Sequence, residues 1–122
     1  MGCLPFVARR YVDIAQRFGV RRQACDVGRV TLVATNAFSG ADTLASLSEL
    51  ALAAVYTSVA RAEQESLPTM LRIGLVVVQA VWSGPIEATA CAHSAGRGWL
   101  LDCELRDEQG RLLSTALAHA PA

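Results

Sequence analysis

The longest apolar pattern in the chain runs from Asp42 to Ala60, DTLASLSELALAAVYTSVA, and after Asp42 its single charge is Glu49. The spacing predicts a central helix over about residues 42–62, and the Asp42–Ala60 stretch alone would span about 28 Å at 1.5 Å per residue. Apolar side chains go nearly all round it, so such a helix belongs inside a wrapping layer and not on a surface. A carboxylate within it is the odd feature, because an unpaired buried charge is costly. Ser39 or Asp42 is the expected cap.

Around this helix the periods change. Residues 5–18, PFVARRYVDIAQRF, carry Phe6, Val7, Tyr11, Ile14 and Phe18 at helical spacing, with Pro5 suited to the first turn and Gly19 to the end. Residues 30–35, VTLVAT, are rich in β-branched side chains and read as a strand, the second arm of a hairpin if residues 21–27 form the first. Beyond the helix, Arg61, Glu63 and Glu65 mark an exit to solvent and Pro68 a break. Four strand-like runs follow. Met70–Val81 is almost continuously apolar, which suits a central strand or a subunit contact. Trp82–Pro85, Ser94–Gly98 and Asp107–Gly110 supply turns between it and the runs 86–93, 99–106 and 111–119. Strands joined so tightly are expected to pair antiparallel, and one antiparallel sheet packed around a buried helix satisfies both elements.

Composition narrows the class. A chain of 122 residues predicts one domain, and 52% hydrophobic with 6% aromatic residues means a core of Ala, Val and Leu that permits close backbone approach. Eleven basic and eleven acidic residues cancel, which argues against nucleic acid or an acidic membrane as partner. Cys3, Cys25, Cys91 and Cys103 are scattered without CxxC or Cys/His spacing, so no metal site is expected and the thiols read as reduced, in a cytoplasmic protein. The N-terminal MGCLPF lacks the form of a secretory signal, and Glu49 with the Ala/Ser/Thr content argues against a membrane span.

The order of elements and turns resembles the hot-dog fold (α+β, an antiparallel sheet wrapped around a long central helix). Within that fold it resembles acyl-CoA thioesterases similar to the phenylacetic-acid-pathway enzyme. The likeness covers about residues 26–120. It is strongest where a Gly-containing turn, the Gly96-Arg97-Gly98 turn and the Asp107–Gly110 hairpin follow the helix in order. The resemblance implies an acyl-CoA substrate, coenzyme A as part of that substrate with no separate cofactor, and a homodimer or dimer of dimers joined sheet edge to sheet edge. The family pattern is His-Gly-Gly, a short stretch, then Leu-Ala-Asp or Leu-Ala-Glu. Leu47-Ser48-Glu49 matches the second part and puts Glu49 at the catalytic carboxylate. Gly40-Ala41-Asp42, or with a one-residue shift Ser39-Gly40-Ala41, stands where His-Gly-Gly would be, so either way the His is missing and at least one Gly is replaced.

Thioester hydrolysis needs an activated water or a carboxylate nucleophile, and donors for the oxygen that becomes negative. Unpaired amides at a helix N-terminus supply such donors, and Gly40 and Ala41 are the expected ones. Glu49 is the expected base or nucleophile. Ser46, Ala53 and Tyr56 share its helical stripe and could line an acyl pocket. Asn36 in the preceding loop, Asp42 in the first turn and Arg97 are candidates for substrate contact, Arg97 toward coenzyme A phosphates. His93 and His119 have no acidic companion evident in sequence. Two readings stay open: an acyl-CoA thioesterase, or a non-catalytic hot-dog protein that binds a related ligand or only dimerises.

Overall fold

The computed structural model of the chain describes residues 9–60, 72–96 and 98–121. Helix α1 (Arg9–Arg17) leads through Gly19 into a hairpin, β1 (Val20–Asp26) and β2 (Arg29–Ala34). Helix α2 (Ala41–Ala60) follows, and then β3 (Arg72–Val77), β4 (Ile86–Ala95), β5 (Gly98–Arg106) and β6 (Leu112–Pro121). The six strands form one sheet in the order β1-β2-β4-β5-β6-β3, every neighbouring pair antiparallel. This is the expected antiparallel sheet around a central helix.

Side-chain size across the inner face explains how the helix is received. Register places Leu32, Ala88, Leu105 and Ser114 in one row, and Val30, Ala90, Cys103 and Ala116 in the next. β4 and β6 therefore present small residues while β2 and β5 present larger ones, leaving troughs into which α2 settles. Leu44, Leu50, Leu52 and Val55 of α2 are fully buried there. Burying one such leucine or valine contributes about 1.5–3 kcal/mol. The all-round apolar pattern of α2 is thus answered by cover on most sides, with α1 closing part of the remainder.

Two expectations about the strands are corrected. Met70–Val81 does not supply a central strand: β3 lies at the edge of the sheet beside β6. Trp82–Pro85 is not a hairpin turn between paired strands either. Residues 78–85 carry the chain from that edge to β4 in the interior of the sheet, because β4 pairs with β2 and β5 and leaves β3 to β6. The expected hairpin turning at residues 26–28 is present, and Gly28 takes a φ of +84° at its tip. The Asp107–Gly110 hairpin is present too. Asp107 accepts hydrogen bonds from the amides of Gln109 and Arg111, and its carboxylate pairs with the Arg111 guanidinium at 2.8 Å.

The thiols divide. Cys91 and Cys103 are free, but Cys25 is disulfide-bonded, which corrects the expectation that all four cysteines are reduced. Cys25 lies on edge strand β1 and is half-buried. Burial pushes the Cys103 thiol up, with the charges of Asp102 and Glu104 adding to it. The proposed starts of α1 before residue 9, the charged exit at 61–65, the break at Pro68 and the Arg97 turn contact lie outside the described residues.

Candidate functional site: the start of the central helix

The loop before α2 is fixed at both ends. The amides of Thr35 and Asn36 donate to the carbonyls of Gly19 and Phe18, tying the exit of β2 to the end of α1. At the other end Ser39 Oγ donates to the Trp82 carbonyl at 2.8 Å and accepts from the Trp82 amide at 3.0 Å. Ser39 therefore does not cap the helix; its hydroxyl is spent on a chain segment 43 positions away. Asp42 does not cap it either, being one residue inside the first turn and exposed. The residue ahead of the helix is Gly40, whose carbonyl accepts the first helical bond from Leu44. Its φ of +140° is a conformation that glycine adopts and other residues resist.

Hydrogen bonding separates the two expected amide donors. Gly40 N–H donates to the Ala80 carbonyl at 2.9 Å, so it already has an acceptor. The helix geometry leaves the amides of Ala41, Asp42 and Thr43 without an intrahelical acceptor, at the end where the helix dipole favours negative charge.

Along the stripe running into the helix, cover increases. Asp42 is exposed, Ser46 and Glu49 are half-buried, and Ala53 and Tyr56 are buried. Burial pushes the Tyr56 phenol up. Glu49 sits about two turns into the helix, at the boundary between the open and closed parts of this stripe. Asn36 stands apart from it, in an open depression of about 260 Å³ lined with Arg17, Thr35, Ala37, Phe38 and Gly84. Phe38, which lines the same depression, is 71% exposed.

Sequence reasoning missed the Ser39–Trp82 clip and the Ala80 carbonyl, since no local pattern reports a partner so far along the chain. It also missed that Ser48, next to Glu49, turns into the core, where its hydroxyl has no partner among the described residues. The statement that His93 lacks an acidic companion is corrected. The β4–β5 register brings Asp102 Oδ2 to 2.8 Å from His93 Nε2, on partly exposed positions of the sheet and away from α2. Among the described residues no His/Cys/Asp/Glu group is arranged to hold a metal ion, and no helix is long and apolar enough to cross a membrane.

The sequence matches no family model and no curated protein. Solved structures share its fold. The E. coli PaaI protein from the phenylacetic acid degradation operon superposes with a TM-score of 0.70 at 16% identity, over 93% of this chain and 90% of that one. A putative thioesterase from Ralstonia eutropha, a phenylacetic acid degradation-related protein, gives 0.72 at 18% identity, over 90% and 89%. A hypothetical thioesterase from Streptococcus pneumoniae, solved with coenzyme A, gives 0.70 at 11% identity, over 93% and 95%. The chain has the hot-dog fold that these structures share.

Proposed function

We propose that this protein hydrolyses an acyl-CoA thioester to the free acid and coenzyme A. The observation that carries the reading is the half-buried carboxylate of Glu49 on the same helix as the three uncommitted leading amides. Its support from outside is the shared fold, including one structure solved with coenzyme A. In this reading Glu49 takes a proton from water as the water oxygen attacks the thioester carbon. The carbonyl oxygen becomes negative and accepts hydrogen bonds from Ala41 and its neighbours. The C–S bond then breaks, and the proton goes to the coenzyme A sulfur. Direct attack by the Glu49 carboxylate, followed by hydrolysis of the anhydride, reaches the same products. Gly40 contributes its turn, and its amide would join only by releasing Ala80. Asn36, Asp42, Ser46, Ala53, Tyr56 and Arg97 are the residues assigned to the substrate, with the acyl chain beside the Ser46–Tyr56 stripe.

The working unit in this reading is a homodimer, or a dimer of dimers, joined through β3. Among the described residues that edge has no neighbouring strand, and Val76 in β3 with Val78 and Val81 just beyond it are exposed at 62%, 59% and 69%. An edge left so apolar is one that another chain covers.

A panel of acyl-CoAs tests the reaction. The wild type is expected to turn over at least one chain length, and Glu49→Gln and Glu49→Ala to lose about 10²–10⁴-fold in kcat, the usual worth of a positioned base. No turnover on any chain length would sink the hydrolase reading, and undiminished turnover in both variants would remove Glu49 from it. A second reading, a protein that binds an acyl-CoA without cleaving it, is favoured by the committed Gly40 amide and by the Asp42 carboxylate beside the remaining donors. Saturable binding of coenzyme A with no turnover would select it.

A further inference from the structure

The zero net charge conceals a division along the chain. Residues 9–34, which hold α1, β1 and β2, carry six of the eleven arginines and two of the eleven acidic residues. That unit is positive by four and the remainder negative by four. A positive end on a neutral molecule draws anionic ligands toward it. Where that end meets the loop leading to the central helix lies the open depression around Asn36, and Arg17 is its basic wall.

Hydrogen bonds fix these walls. The Asn36 amide donates to the Phe18 carbonyl at 2.9 Å and the Thr35 amide to the Gly19 carbonyl at 3.3 Å. The Thr35 hydroxyl donates to the same Gly19 carbonyl at 3.1 Å. The Arg17 guanidinium lies 4.9 Å from the centre of the Phe18 ring, a cation–π contact that keeps it at the surface. Among the described residues it has no ion pair, and Asp13, one turn earlier on α1, does not supply one. At Gly84 the wall turns acidic, because a Cβ there would run into the Glu108 carboxylate. An anion in the depression is therefore drawn to Arg17 and away from Gly84.

The remaining walls suit a nucleotide. A guanidinium fork fits two phosphate oxygens at once. Phe38 offers an exposed ring, and every nucleobase has a face that stacks on one. The Asn36 side chain carries both a donor and an acceptor for a base edge. Asn36 and Gly40 are four residues apart, so their Cα atoms lie within about 14 Å of each other. The leading amides of α2 are thus a short reach from the depression, as a thioester is from the nucleotide across a pantetheine arm.

We propose that the Arg17–Asn36–Phe38 depression seats the nucleotide end of coenzyme A, with a phosphate on Arg17 and the adenine on Phe38. This rests on the acyl-CoA reading and adds Arg17 and Phe38 to the residues that hold the substrate.

The test is calorimetric titration of the full chain with adenosine 3′,5′-bisphosphate, alongside NMR shifts of the amides of residues 17–19 and 35–38. Saturable binding with shifts centred on those residues is expected. Arg17→Gln should weaken it about tenfold, the scale of one lost charge-assisted contact. Phe38→Leu should weaken it about fivefold, the low end of what a stacked base is worth. Both positions are exposed, so neither substitution disturbs the core. Kinetics separate this seat from the hydrolase reading. Arg17→Gln should lower kcat/KM for an acyl-CoA about tenfold more than for the matching acyl-pantetheine, through KM. Turnover of both thioesters with an unchanged ratio overturns the nucleotide seat and leaves the hydrolase standing. No turnover of either thioester sinks the hydrolase reading, and the titration then decides the seat by itself. Absence of saturable binding overturns the proposal, as does binding that neither substitution changes or that pyrophosphate matches in affinity.

Discussion

The two edges of the sheet are treated in opposite ways. β1 ends the sheet with Arg21, Arg22 and Gln23, all exposed, and with a bulge that disrupts its regular pairing face. β3 ends it with valines and a straight, unbulged register along β6. Charge and bulges are the devices by which a protein keeps an edge from recruiting another strand. One edge of this molecule carries both, whereas the other has no bulge and, after Arg72 at its start, no charge. Apolarity at an edge therefore does not signal poor construction here. It marks which of two equivalent-looking boundaries the chain leaves available.

The largest effect that would break this contrast comes from placing charge on β3. Val76→Lys in β3 with Val78→Lys just beyond its end should weaken self-association about a thousandfold, the sum of two central interface side chains worth about 2 kcal/mol each. Sedimentation across a concentration series checks this, and an unchanged association constant would mean that β3 is not the contact. The converse substitution, Arg22→Val, should leave that association intact within about threefold, because a single rim-type change at a site outside the interface is worth under about 1 kcal/mol.

A smaller effect separates edge from interior. A Cβ on Gly98, in β5, would run into the Ala120 carbonyl of β6, so Gly98→Ala should destabilise by about 1–3 kcal/mol, as overpacking does. On Gly74, in β3, a Cβ meets only the Leu117 carbonyl at 4.0 Å. Gly74→Ala should be neutral or stabilise by up to about 0.5–1 kcal/mol through loss of chain entropy in the unfolded state. Denaturant melts of the two variants give the comparison directly, and equal destabilisation would contradict it.

The smallest effect appears at low pH, at the hairpin joining β5 to β6. Burial acts to raise the Asp107 carboxyl, but hydrogen bonds from the Arg111 amide and guanidinium and from the Gln109 amide outweigh it and hold the group below its ordinary value. A carboxyl lowered in the folded state stabilises fully above the unfolded value, roughly 3.9. That contribution disappears as pH falls through the lower folded value. The wild type should therefore lose stability in that acidic window, and Asp107→Asn should lose less of it there while being weaker at neutral pH. Parallel slopes for the two proteins below about pH 4 would rule the hairpin out as the source.

How far the chain could be read in advance depended on how local the determining chemistry was. The central helix was legible because its apolar pattern goes all round, and only a wrapping layer satisfies that. The Asp107–Gly110 hairpin was legible because Asp107 and Gly110 make their own turn within a few residues. The place of β3 was not, since an apolar run reports that something covers it without saying whether the cover is the same chain or another. Glu49 and Ala41 lie on the central helix, but the fate of the Gly40 amide depended on Ala80, far along the chain. The pairing of His93 with Asp102 was equally hidden. It follows from register, and a single unpaired residue such as Gln23 changes register without leaving a pattern in the sequence.

The Ser39–Trp82 clip has a mechanical meaning. With the Gly40–Ala80 bond it makes three hydrogen bonds between the loop ahead of the central helix and the segment that leaves β3. The helix mouth and the apolar edge are thereby hinged to one another, like a latch fixed to a door frame. A partner that shifts residues 78–82 as it seats would move the first amides of the helix by the same linkage. By thermodynamic reciprocity a ligand drawn to those amides would then change how firmly the partner is held. Ser39→Ala would remove two of the three bonds, leave the Gly40–Ala80 bond in place, and so loosen the linkage without touching either surface.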